Sequence, residues 1–208
     1  MKTNFIEDGA LKGVAKNQNK KQVLLIGDSI RMGYCEVVKE KLLDVADVYF
    51  PDENCRSSQH IITSLGIWQN LCDGEKIDVV QFNCGHWDVA RWHEGKTSLS
   101  TPREYQRNVG KIINYLRKYY PNAKIVFATS TPMNPNGSNS SNARTTKDII
   151  KYNKKGIKAT LKEKAIVNDL FEFTKDFTEN DFRDYAHFNE QTNEKIGTFV
   201  ADFIRKLL

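Results

Sequence analysis

Residues Val23 to Tyr34 read VLLIGDSIRMGY, and their reading decides the fold. Four apolar residues run into Gly27-Asp28-Ser29, after which charged and apolar residues mix. A short unbroken apolar run closed by glycine is the pattern of a strand covered on both faces. The Gly-Asp-Ser turn then opens a helix. Asp28 either caps it or bonds within the turn, because an Asp oxygen at a helix start accepts from the first unsatisfied amides. Ser29 has two readings here, as part of the helix cap or as a nucleophile set at the end of a strand. The twelve residues alone leave both open.

Working outward, apolar runs and helical patterns alternate. Gln22–Ile26, Val45–Phe50, Asp78–Asn83, Lys124–Thr129 and Ala165–Asn168 are short and rich in Val, Ile and Phe, as strands buried on both faces require. Helices are expected at His60–Cys72, after Thr101, at Thr146–Lys164 and at Gln191–Leu208. The second opens with Thr101-Pro102-Arg103-Glu104, a capping box with proline where its missing amide costs least. The last places Ile196, Phe199, Val200, Phe203, Ile204 and Leu207 on one stripe. Strands alternating with helices predict an α/β fold, a three-layer α/β/α sandwich on a five-stranded parallel sheet. Residues 1–20 are polar and aperiodic and are expected to be an N-terminal tail, with residues 21–208 forming a single domain. The polar stretch Asn134–Asn142 (NPNGSNSSN) is expected to be a loop.

Composition narrows the function classes. A chain of 208 residues buries a sufficient core without disulfides or metals. The net charge of +5 is mild, and the lysines near residues 16–21 and 151–158 are scattered, whereas a nucleic-acid binder concentrates its charge on one face. No apolar run is long enough to span a membrane, and no apolar segment resembling a signal peptide opens the chain, so a cytoplasmic location is expected, with export left open. Cys35, Cys55, Cys72 and Cys84 form no CxxC pair, and no histidine has metal-ligand spacing on a helix. Neither a metal nor a cofactor is expected, and oligomeric state is left open. Cys35 and Cys84 read as small buried hydrophobes.

In open parallel sheets the ligand crevice lies beyond the carboxyl ends of the strands. Unusual polar residues do collect there: Ser29 after the first strand, Asn54, Cys55 and Arg56 after the second, Gly85, Trp87, Asp88 and Arg91 after the third. Asp184 and His187 fall just before the last helix. A serine hydroxyl is a weak nucleophile near neutral pH and needs a base. Histidine suits that role, and a carboxylate on its other nitrogen fixes the tautomer. Three residues of separation in a tight turn let one segment present both groups. The plainer alternative is that Asp184 caps the final helix region and His187 packs passively.

Gly27-Asp28-Ser29-Ile30 together with Asp184-Tyr185-Ala186-His187 resembles the SGNH hydrolases, the Gly-Asp-Ser-Leu type of esterase and lipase, over about residues 22–208. The resemblance implies a flavodoxin-like sheet, Ser29 as nucleophile, His187 as base and Asp184 as its orienting partner. It further implies an acyl-enzyme and a short-chain ester substrate, acetyl on a carbohydrate or another small molecule, with no nucleic-acid or membrane partner. Two departures stand out. Cys55 falls where the family has a glycine whose amide holds the oxyanion. Trp87 falls where G-x-N-D has its asparagine, so the oxyanion hole is expected from Ser29, Cys55 and Trp87. Arg31, Asn54, Arg56, Asn83, Gly85 and Arg91 are candidates for binding substrate, with Trp92 and His93 at the pocket mouth. A catalytically impaired binding protein and an O-acyltransferase using the same residues are the alternatives.

Overall fold

The computed structural model describes residues 20–69 and 72–208, so the expected N-terminal tail lies, but for Lys20, outside the described residues. In chain order the elements are β1 (Lys21–Ile26), α1 (Ser29–Lys41), β2 (Ala46–Tyr49), α2 (Ser58–Trp68), β3 (Val79–Asn83), α3 (His86–Val89), β4 (Arg91–Trp92), α4 (Pro102–Tyr119), β5 (Lys124–Ala128), β6 (Asn142–Ala143), α5 (Thr146–Lys162), β7 (Ile166–Asn168), α6 (Leu170–Thr174) and α7 (Glu190–Arg205). Five strands form one sheet in the order β2-β1-β3-β5-β7. Every pairing in it is parallel, with Val23 opposite Val48 and Val79, and Phe82 opposite Phe127.

Alternation along each strand supplies two cores from one sheet. Leu24, Ile26, Val80, Phe82, Ile125 and Phe127 pack on one face under α2, α4 and α5. Val23, Leu25, Val79, Val126 and Ala128 pack on the other under α1 and α7. The strands therefore read as continuous apolar runs, because neither face meets water. α4 begins with the expected capping box: the Glu104 amide donates to Thr101 Oγ1 (3.3 Å) and the Thr101 amide to Glu104 Oε2 (2.7 Å).

Some boundaries moved for local reasons. α2 begins at Ser58, two residues before the expected start, because Ser57 caps it by accepting from the His60 amide at 3.2 Å. It ends at Trp68, and the expected extension to Cys72 crosses residues 70–71, outside the described residues. The two-residue strands β4 and β6 pair antiparallel and are too short to show any periodicity. They fold the polar loop after β5 back over the carboxyl end of the sheet. There Asn134 donates its amide to the Tyr185 carbonyl (3.1 Å) and its Nδ2 to the Asp184 carbonyl (3.0 Å).

Candidate active site

The turn after β1 is built by close approach. A Cβ on Gly27 would meet Asn83 Oδ1 at 1.9 Å, so only glycine lets β3 press its last side chain against the turn. Asp28 is the N-cap of α1. Its Oδ1 accepts from the Ile30 amide at 3.0 Å and from Asn83 Nδ2 at 2.8 Å. Burial pushes the Asp28 carboxyl above its ordinary range, although both hydrogen bonds and the charges of Arg144 and His187 oppose the shift. Ser29 is thereby fixed as the first helical residue. Among the described residues no hydrogen bond uses its amide, and the positive end of the α1 dipole points toward this position.

The second half of the site is the turn before α7. The His187 carbonyl accepts from the Arg183 amide at 2.7 Å, closing the turn. Asp184 Oδ1 accepts from the amides of Ala186 (2.9 Å) and His187 (2.8 Å). His187 Nδ1 lies 2.9 and 2.8 Å from the two carboxylate oxygens, and Nε2 lies 2.8 Å from Ser29 Oγ. A carboxylate only accepts, so the ring proton belongs on Nδ1. That leaves the Nε2 lone pair for the serine hydroxyl. Burial alone would raise the Asp184 carboxyl, but the two amides and the imidazole outweigh it and hold the group below the usual carboxylate range. The hydroxyl, the imidazole and the carboxylate are thus joined in one hydrogen-bonded chain. It opens onto a cavity of about 260 Å³ lined by Ile30, Met32, Gly33, Arg183, Phe188 and Asn193.

Several other expected site residues have different occupations. The Cys55 amide donates to the Gly27 carbonyl at 3.0 Å, so it is spent on the turn and does not face a reacting oxygen. The left-handed backbone that favours glycine falls one residue later, at Arg56 (φ 52°), whose amide donates to Asn54 Oδ1 at 2.9 Å. Arg31 does not line the pocket. It is 2% exposed, donates to the carbonyls of Gly27 and Glu53, and lies 5.7 Å from the Phe50 ring centre. Asn83, likewise buried, spends its Nδ2 on Asp28. Arg91 forms a forked ion pair with Asp148, at 3.0 and 3.3 Å, tying β4 to α5. Gly85 holds a turn at φ 140°, where a Cβ would meet Ser130 Oγ at 2.3 Å. Trp87 is half-buried and packs against Trp92 at 4.6 Å, with the Arg56 guanidinium 5.9 Å from its ring centre. Among the described residues its indole N–H makes no hydrogen bond.

Four residues at this rim carried no signal in the sequence. His86 is buried, with Nε2 3.2 Å from Thr131 Oγ1 and Nδ1 accepting from Arg144 Nε at 3.3 Å. Burial, with the Arg144 charge, holds its imidazole well below the usual histidine range. Tyr185 and Asn142 complete the rim, with Asn142 Nδ2 3.1 Å from the Tyr185 hydroxyl. Asn142 and Arg144 reach the rim only because β6 pairs with β4, and there they meet His86 and Tyr185.

No protein-family profile matches the chain, and no curated protein matches it by sequence. Solved structures do resemble it. A lipase/acylhydrolase from Enterococcus faecalis superposes with a TM-score of 0.70 at 17% identity, covering 89% of this chain and 96% of that one. The carbohydrate acetylesterase Est24 from Sinorhizobium meliloti gives 0.70 at 16%, covering 91% and 100%. An aryl esterase from M. smegmatis gives 0.71 at 15%, covering 90% and 100%. Parallel sheet, flanking helices and these likenesses together establish that the chain has the SGNH hydrolase fold.

Proposed function

We propose that the protein is a serine ester hydrolase acting on short acyl esters, with acetyl groups on a carbohydrate as the preferred class. One observation carries the reading: the unbroken chain from Ser29 Oγ through His187 to Asp184, at 2.8 Å on either side of the ring. In the first step Ser29 Oγ attacks the ester carbonyl while His187 Nε2 takes its proton. Asp184 steadies the imidazolium, and the ring then passes the proton to the departing alcohol. Water, deprotonated by the same nitrogen, releases the acid from the acyl-enzyme. The unused Ser29 amide at the start of α1 supplies one oxyanion donor, and the unpartnered Trp87 indole N–H supplies a second.

Likeness to a carbohydrate acetylesterase supports the substrate class. A cavity of about 260 Å³ with an apolar wall of Ile30, Met32 and Phe188 suits a small acyl group better than a fatty chain. Purified protein should hydrolyse p-nitrophenyl acetate, react with a fluorophosphonate at Ser29, and lose both properties as Ser29→Ala. Equal rates for wild type and Ser29→Ala would remove the serine mechanism. The engaged Cys55 amide and the Trp87 replacement favour, as a second reading, a protein that binds esters but turns them over slowly. That protein would resist the fluorophosphonate.

A further inference from the structure

Arg144 follows β6 and lies half-buried at the rim of the site. Its Nε donates to His86 Nδ1 at 3.3 Å and its Nη1 to the Asn142 carbonyl at 3.2 Å. The Tyr185 ring centre lies 5.3 Å from the guanidinium carbon, and the Tyr185 and His187 rings meet edge to face at 6.1 Å. One aromatic ring therefore separates this cation from the candidate base. All of these partners are neutral. Among the described residues Arg144 belongs to no ion pair, whereas Arg91 and Arg205 each hold a carboxylate in a fork. Asp28 and Asp184 act on it only at longer range. Asp184 is already committed to His187 and two amides, and Asp28 Oδ1 to Ile30 and Asn83.

Withdrawing a guanidinium from water without a carboxylate is costly. Arg31, the fully buried case, offsets that cost by giving one nitrogen to two backbone carbonyls inside the fold, whereas Arg144 stands half-buried at the rim, where an anion from outside can reach it. The planar fork matches a carboxylate through two parallel hydrogen bonds, a fit that a single developing oxyanion does not use. Resting on the ester-hydrolase reading above, we propose that Arg144 is a specificity-determining residue that binds a carboxylate on the substrate, so that the preferred ester is an anion. The rival role is purely structural, with Arg144 as a strut between His86, β6 and Tyr185. A strut, once cut, lowers turnover of every ester alike.

Paired probes separate the two roles. 4-Nitrophenyl hydrogen succinate against 4-nitrophenyl butyrate places the charge on the acyl half. 4-Acetoxybenzoate against its methyl ester places it on the alcohol half. The readout is the ratio of kcat/KM for the charged member to that for the neutral one. In wild type at least one ratio should favour the anion by about 10- to 100-fold, the span of a charge-assisted hydrogen bond. Arg144→Gln should bring that ratio to about one, and Arg144→Lys should recover part of it, since lysine keeps the charge and loses the fork. A wild-type ratio at or below one on both pairs, or the same ratio in Arg144→Gln, overturns the proposal.

Two measurements stand apart from the folding of that variant, and the second also from turnover. Added salt should erode the wild-type preference for the anion and leave the neutral ester's rate alone. Calorimetry should also detect at least one of the two anionic probes, and not its neutral counterpart, binding to Ser29→Ala. Absence of that binding overturns the proposal, whereas loss of all Ser29-dependent hydrolysis with binding intact overturns only the hydrolase reading.

Discussion

Replacing Asp184 with Asn tests the hydrogen-bonded chain at the atom that decides where the imidazole proton sits. An asparagine oxygen in place of Oδ1 still accepts from the Ala186 and His187 amides, so the turn holds. Its nitrogen then occupies the place of Oδ2, 2.8 Å from His187 Nδ1. Two donors cannot face one another, and the remaining oxygen, 2.9 Å from Nδ1, already accepts from both amides, so the imidazole is driven toward the tautomer that carries its proton on Nε2. The atom opposite Ser29 Oγ thereby changes from acceptor to donor, and the hydroxyl loses its base although no atom has moved far. Such a tautomer error costs about 10⁴-fold in kcat, or ~5.5 kcal/mol in barrier. Steady-state hydrolysis of p-nitrophenyl acetate at pH 7 reads the loss directly. Stability gives an independent check. The Asp184 carboxyl titrates below its usual range in the folded state, so its contribution is fully present above the unfolded value and is lost as the pH falls through the folded one. The difference in stability between wild type and Asp184→Asn should close as the pH drops below about 3.9. A variant that keeps kcat within about tenfold of wild type, against the expected loss, or a stability difference that widens in acid, would refute the reasoning.

Two further substitutions probe the scaffold under the site. Gly85→Ala forces a side chain into a φ of 140° and a Cβ against Ser130 Oγ. Strain of about 1–3 kcal/mol should lower Tm by several degrees, at about 2–4 °C per kcal/mol for a chain of this length; an unchanged thermal midpoint would show that the turn can rearrange. Asp88 is fully buried and accepts from the Ser58 amide (2.9 Å), the Ser58 hydroxyl and the Ser100 hydroxyl (3.0 Å), and burial pushes its carboxyl up. Asp88→Ala strands the Ser58 amide at a cost of about 1–3 kcal/mol, while Asp88→Asn keeps an acceptor for it and should cost less. Urea unfolding that ranks the two in the opposite order would count against this account.

The strands of the sheet were legible because burial on both faces writes itself into the sequence as unbroken apolar runs. β1, β3 and β5 each contribute to both cores, and the buried polar side chains of β3 are engaged: Gln81 with Asn168 and Tyr34, and Asn83 with Asp28. The capping box of α4 was legible for a different reason, since Thr101 and Glu104 act within one turn of each other. β4 and β6 carried no such signal. Their two-residue pairing joins positions some fifty residues apart, and its consequence is to deliver Asn142 and Arg144 to the site. A contact of that separation has no local pattern to read.

Arg31 shows what closer attention to periodicity recovers. It follows Ser29 by two residues and looked like a pocket cation, but the buried positions of α1 are 30, 31, 34, 35 and 38, one helical stripe that includes it. Cys55 is the harder case. Matching letters against the family pattern places it at the glycine whose amide faces the oxyanion, whereas the backbone places the left-handed turn at Arg56 and aims the Cys55 amide at the Gly27 carbonyl. Glycine announces a positive φ and arginine conceals it, so a shift of one residue could not be detected from composition. The consequence reaches the chemistry. On the proposed mechanism, with the Cys55 amide spent, oxyanion stabilisation would fall on the Ser29 amide and on whatever Trp87 or the Arg56 amide supplies, the latter only if Asn54 releases it. Each donor in such a site is worth about 10²–10³ in rate. Of the departures from the family pattern, the indole in place of the asparagine is therefore the one on which the turnover of the proposed hydrolase should depend most.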